Sequence, residues 1–138
     1  MILIVAVDED KGMMFNRRRQ SKDRVLRERI LSLAKGGKLW MNAYTRRQFP
    51  EDAQGEIMVD EKFLEKAGFG DYCFLENIPA APYEDRIEKI ILFWWNRKYP
   101  SDTWFDIDLE GGGWKLSETR EFSGSSHEKI TEEVYVRG

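Results

Sequence analysis

Seven basic residues fall between positions 17 and 29 (Arg17, Arg18, Arg19, Lys22, Arg24, Arg27 and Arg29), opposed only by Asp23 and Glu28. On a chain of formal net charge −3, positive charge segregated this tightly is a candidate site for an anion. If the segment is helical, Arg24 and Arg27 stand about one turn apart, close enough for two guanidinium forks to clamp a phosphate or a carboxylate. The ordinary alternative is a solvated helix face. Asp23, the acid inside the run, sits where the first turn of a helix favours negative charge.

Other chemistry-bearing patterns exclude more than they offer. Asp8-Glu9-Asp10-Lys11-Gly12 has its glycine one place too early for a calcium loop and no glutamate to close it. Gly111-Gly112-Gly113 lacks the Lys-Ser/Thr of a phosphate loop. His127 is the single histidine, so histidines cannot hold a metal here and a zinc-dependent ribonuclease would lack its ligands. A serine or cysteine triad around His127 is not expected. The single cysteine, Cys73, lies in the apolar run Tyr72-Cys73-Phe74-Leu75 and reads as a buried structural thiol of a reducing compartment.

The elements that must position these residues follow from patterning. A chain of 138 residues is long enough for one core and too short for two, so a single domain spanning 1–138 is expected. Ile2 to Val7 is a continuous β-branched run, the mark of a strand covered on both faces. Ile87 to Trp95 has the same character, and the two runs should be neighbouring interior strands. Between them the pattern alternates. Ser21 is placed to cap a helix beginning at Lys22, whose apolar stripe is Val25, Leu26, Ile30 and Leu33 and which Gly36-Gly37 stops.

Lys38 to Asn42 reads as a second strand, Tyr44 to Phe49 as one or two helical turns, and Ile57 to Val59 as a short strand. A helix from Glu61 to Ala67, a strand from Tyr72 to Leu75 and a loop holding Pro79 and Pro82 follow. The C-terminal third reads as β: Trp114, Leu116 and Phe122 share one parity of a final hairpin that turns through Ser123 to His127. The fold class is therefore α/β, with a mostly parallel central sheet, flanking helices and a C-terminal antiparallel hairpin. Charged residues interrupt the N-terminal apolar run within a few positions, so no signal peptide is read, no segment reaches the length of a bilayer span, and a cytoplasmic protein is expected. The sequence carries no signal for an oligomeric state.

The order of the last third (buried strand, Asp102-Thr103-Trp104-Phe105, closing hairpin) resembles dihydrofolate reductase, where a D-T-x-F element and a final hairpin follow the strand under the active site. Met1 to Val7 followed by Gly12 and Asn16 is similar to the first strand and mobile substrate loop of that family. The resemblance implies that Asp23 is the carboxylate that holds a pterin and supplies the acid. It implies a ligand cleft beside Asn16, Asp23 and Arg27, with the hydroxyl of Thr45 near the ligand and with Asp102 and Thr103 supporting the loop from its far side; Arg24, one helical turn from Arg27, would join it there.

The cofactor motifs of the family are missing. Asn42-Ala43 stands where the family has a Gly-Arg pair, and Glu76-Asn77-Ile78-Pro79 where a glycine run cradles the pyrophosphate. The expectation is a protein of this fold with no cofactor, not an active reductase, that binds a small anionic or planar molecule near the first helix. The alternative is a divergent NADPH-dependent pterin reductase using Asp23. A further alternative is an RNA- or protein-binding module using residues 17–29 with Trp40 and Tyr44 as stacking surfaces.

Overall fold

A computed structural model describes residues 1–138. Its centre is strand β1 (Ile2–Val7), paired in parallel with β6 (Tyr72–Phe74) on one side and β7 (Lys89–Trp94) on the other. The two continuous apolar runs are thus interior neighbours, with Leu3 opposite Ile90 and Val5 opposite Leu92. Strands β4 (Lys38–Met41) and β5 (Glu56–Val59) extend the parallel part beyond β6. Beyond β7 the sheet turns antiparallel through β10 (Ile130–Arg137) and β9 (Trp114–Phe122), giving the seven-stranded order β5-β4-β6-β1-β7-β10-β9.

Alternation along β1 divides the core into two layers. Ile2 and Ile4 face helix α1 (Arg24–Leu33) and meet Leu26 and Ile30, while Leu3, Val5 and Val7 face the opposite layer with Phe63, Leu92 and Phe105. A sheet covered on both faces admits only apolar residues at its centre, and this is why β1 and β7 read as unbroken hydrophobic runs. Helices α2 (Ala43–Arg46) and α3 (Phe63–Lys66) are single turns, and the proline-containing loop after β6 winds into a 3₁₀ segment at Ala81–Arg86. None of the helices is long and apolar enough to cross a membrane.

Three sequence expectations need correction. The first helix is capped by Asp23 rather than Ser21 and starts at Arg24 rather than Lys22, because the Asp23 carboxylate accepts from the N–H groups of Val25 and Leu26. The segment after β1 is not an irregular loop. It forms a three-stranded sheet from β2 (Gly12–Phe15), β3 (Arg18–Arg19) and β8 (Thr103–Trp104), in the order β3-β2-β8. Finally, Trp114 and Phe122 do not share a face. The register of β9 against β10 slips between Leu116 and Glu118, opposite Tyr135 and Val134, and this bulge at Ser117 moves every later side chain to the other side. Trp114 packs in the layer away from α1, Phe122 packs in the α1 layer against Phe93, and Leu116 is left exposed.

Cys73 is fully buried on β6, and burial pushes its thiol up to about 12. The folded protein should therefore be inert to a thiol-specific reagent at pH 8, and reaction should begin only in denaturant. Stoichiometric labelling of the native chain would contradict the packing of this strand.

Candidate functional site

Asp8, at the end of β1, fixes the start of the small sheet. Its Oδ1 accepts from the N–H groups of Asp10 (2.9 Å) and Gly12 (2.8 Å), and its Oδ2 from Tyr99 N–H (3.1 Å), Gln20 Nε2 and the Ser101 hydroxyl (both 3.2 Å). Burial alone would raise this carboxyl, but the N–H donors of Gly12, Tyr99 and Asp10 outweigh it and hold it below the usual range. This role was not legible in the sequence, since an acid after a strand usually marks only a turn.

Beyond Gly12 the chain makes a tight hairpin. Phe15 pairs with Arg18 across a two-residue turn in which Asn16 (φ 51°) and Arg17 (φ 61°) are both left-handed, the conformation a two-residue hairpin of this twist requires. The N–H of Asn16 donates to Asp102 Oδ2 at 2.9 Å, and Asp102 N–H donates to the Met14 carbonyl at 3.0 Å. The Thr103 hydroxyl lies 3.4 Å from Asp102 Oδ1. Replacing the exposed Asp102 with alanine should quicken amide exchange at residues 12–20 while changing global stability by no more than about 1 kcal/mol. Uniform loss of protection across the large sheet would instead make Asp102 a residue of the whole fold.

Asp23 faces the C-terminal hairpin loop. Besides capping α1, its carboxylate accepts from Ser125 N–H (3.0 Å), Ser126 N–H (2.8 Å) and the Ser126 hydroxyl (3.1 Å), and it meets His127 Nδ1 at 3.1 Å. Its side chain is 0% exposed. A Cβ on Gly124 would fall 2.4 Å from Asp23 Oδ2, so the loop approaches this closely only because residue 124 is glycine. Burial would raise the carboxyl, yet the N–H groups of Ser125 and Ser126, then His127 and Leu26, drive it far below the ordinary carboxylate range. The other acid of this region, Glu28, is exposed and paired with Arg24 at 3.1 Å.

On its far side His127 meets two hydroxyls. Its Nε2 lies 3.1 Å from Ser21 Oγ and 3.1 Å from the Tyr99 oxygen, and its ring stacks on Trp95 at 4.4 Å. Asp23, His127 and Ser21 thus form an aspartate–histidine–serine line that was not expected from the sequence.

The ends of β4 and β6 converge on Arg19. Its Nε and Nη2 bind the two oxygens of Glu76 at 2.9 and 3.1 Å, its guanidinium lies 4.5 Å over the ring of Tyr44, and its N–H donates to the Tyr44 hydroxyl at 2.8 Å. Thr45 is buried beneath them, with its hydroxyl on Glu76 Oε1 at 2.9 Å. Asn42 caps α2 through Thr45 N–H and donates to Asn77. Neither Tyr44, covered by Arg19, nor Trp40, buried with its indole N–H on Asp71, presents an open ring face of the kind base stacking uses.

The basic cluster is therefore divided. Arg19 is held by Glu76, and Arg29 makes a two-pronged bond to the buried Glu132 at 2.8 and 3.0 Å. Arg24 and Arg27 remain together on one side of a cleft of about 500 Å³ between α1 and the turn after α2. The opposite wall is Arg47 and Gln48, and Leu31, Phe49 and Pro50 supply the apolar surface. Asn16 and Thr45 do not line it. Arg47 was missed in the sequence, although Arg46-Arg47 before Phe49-Pro50 is visible there. Only the structure separates the pair, since Arg46 is spent on the carbonyls of Phe49, Pro50 and Glu51.

No protein-family model matches the chain, and no curated protein matches it. Among solved structures it is similar to the dihydrofolate reductase of Enterococcus faecalis complexed with NADP(H) and RAB-propyl, with a TM-score of 0.67 over 99% of this chain and 95% of that one. The identity is 12%, so the likeness is one of backbone. The chain has a dihydrofolate reductase-like fold.

Proposed function

We propose that this protein binds a small anionic ligand with a flat apolar body in the cleft between α1 and residues 47–50, and that it is not an NADPH-dependent reductase. The observation that carries the reading is that Arg27 and Arg47 face one apolar-floored cleft whose only acid, Glu28, is already paired with Arg24. One guanidinium from the helix and a second from the facing turn suit a carboxylate or phosphate. Leu31, Phe49 and Pro50 suit the face of an aromatic ring.

Two further observations support the absence of a reductase role. A dinucleotide's phosphates require amides and cations, whereas the end of β6 carries the carboxylate of Glu76, already paired with Arg19. The residues at the ends of β4 and β6 do not fit that cofactor. The carboxylate of Asp23 is enclosed by the hairpin loop, and both its oxygens already hold donors of that loop.

Calorimetric titration with benzoate, 4-aminobenzoate and 2-naphthoate, each beside its amide, tests the reading. The acids should bind and the amides should not. Arg27→Ala and Arg47→Ala should each weaken binding roughly tenfold, the loss of about one charge-assisted hydrogen bond. Equal affinity for acids and amides, or unchanged affinity in both variants, would remove the anion site. In a separate titration followed by tryptophan fluorescence, NADPH should give no saturable energy transfer, and a low-micromolar dissociation constant would overturn the cofactor part of the reading.

A further inference from the structure

We propose that Ser21 is a nucleophile activated by His127, and that this second site, distinct from the arginine cleft, hydrolyses small carboxylic esters. The case rests on how the imidazole is wired. Asp23 Oδ2, 3.1 Å from Nδ1, is an ionised acceptor and fixes the proton on that nitrogen. Nε2 is then the basic nitrogen, and the Ser21 hydroxyl lies 3.1 Å from it. This is the division of roles that lets a serine lose its proton as it attacks, with the aspartate as a positioning residue that selects the tautomer. Asp23 is itself held by the N–H groups of Ser125 and Ser126 and by the N-terminus of α1, and Trp95 stacks on the ring, so the base is fixed in orientation.

Ser21 is partly exposed, unlike His127 and Asp23. A cavity of about 310 Å³ lies beside the line: its wall holds Gln20, the chain neighbour of Ser21, and Tyr99, the other hydroxyl on Nε2, while Ser21 and His127 stand behind that wall. Phe15, Asn16, Arg18, Arg19 and Pro100 form the rest of that wall, so the acyl or alcohol part best suited to it is aromatic and carries a negative charge.

The reaction closes on ester and water alone. Ser21 Oγ adds to the carbonyl carbon as Nε2 takes the hydroxyl proton. The carbon–oxygen bond to the alcohol breaks, and the alcohol leaves with that proton. Water then adds to the acyl-serine and gives a proton to Nε2, and the acid departs as Ser21 Oγ recovers the proton.

The full chain incubated with an aryl fluorophosphonate should gain one adduct mass, located on Ser21 by peptide mapping. A purely structural hydrogen bond predicts no labelling. Hydrolysis of 4-nitrophenyl acetate by Ser21→Ala should drop about 100-fold or more. Tyr99→Phe, which removes the competing hydroxyl from Nε2, should label at least as fast as the parent. No adduct, an adduct on Tyr99, Ser125 or Ser126, or undiminished hydrolysis by Ser21→Ala would overturn the proposal. The wild-type labelling decides the matter even if a variant fails to fold.

Discussion

Replacing Asp23 with alanine is expected to lower the unfolding free energy by about 4 kcal/mol, the largest loss of any single polar substitution in this chain. The cap of α1 contributes about 1 kcal/mol of that. The remainder comes from the buried N–H groups of Ser125 and Ser126 and the ring of His127, which lose an ionised acceptor and are left unsatisfied. Asparagine keeps the cap but offers an amide where Ser126 N–H needs an acceptor, so Asp23→Asn should cost about half as much. The dependence on pH has a definite sign. The folded carboxyl lies below its unfolded value, so its stabilisation is complete above the unfolded value of about 3.9 and is lost as pH falls below that toward the folded value. Urea denaturation of the parent and Asp23→Asn between pH 7 and pH 2.5 should show a gap that is constant down to about pH 4 and then narrows. A gap independent of pH throughout that range would mean that the charge on Asp23 does not hold the hairpin loop.

Removal of the Glu76 side chain should have the next largest effect, about 2–3 kcal/mol. The Arg19–Glu76 pair is mostly enclosed, with side-chain exposures of 20% and 10%, so Glu76→Ala leaves a desolvated guanidinium and the Thr45 hydroxyl without their acceptor. The loss should be accompanied by local loosening, because Arg19 is the contact through which β3 grips the ends of β4 and β6. Hydrogen exchange should quicken at residues 12–20 before it does so in β1 or β7. Arg24→Ala is the control: its ion pair with Glu28 is about 60% exposed on both sides, and stability should change by 0.5 kcal/mol or less. If Glu76→Ala proved as mild as Arg24→Ala, the closure of the β4–β6 end would not depend on that ion pair.

The elements that bury both faces were legible in the sequence. Ile2–Val7 and the run ending at Trp94 could only be interior strands, because a polar side chain on either face would lose its water without gaining a partner. The closing hairpin was legible from its alternation, and the place of the Asp102-Thr103 element only through the resemblance of its sequence to that of dihydrofolate reductase. The face carried by Phe122 was not legible, because a single bulged residue at Ser117 inverts the alternation that sequence patterning relies on. The β2–β3 turn was hidden as well, because Asn16 and Arg17 take the left-handed conformation without the glycine that normally announces it.

The candidate sites divide in the same way. Composition alone revealed a basic segment, and helical spacing alone paired Arg24 with Arg27. Arg24 is paired locally with Glu28, but Arg19 and Arg29 are taken up by acids far along the chain, Glu76 and Glu132, 57 and 103 residues away. Asp23 looked like an acid for chemistry beside a ligand and became the anchor of a loop 102 to 104 residues distant. Ser21 and His127, 106 residues apart, carried no pattern at all. A hydrogen bond needs its partners within about 3 Å and aligned. The sequence determines which side chains can donate or accept, but only the closing of β10 against β7 and the turn of the last hairpin over α1 decides which of them meet.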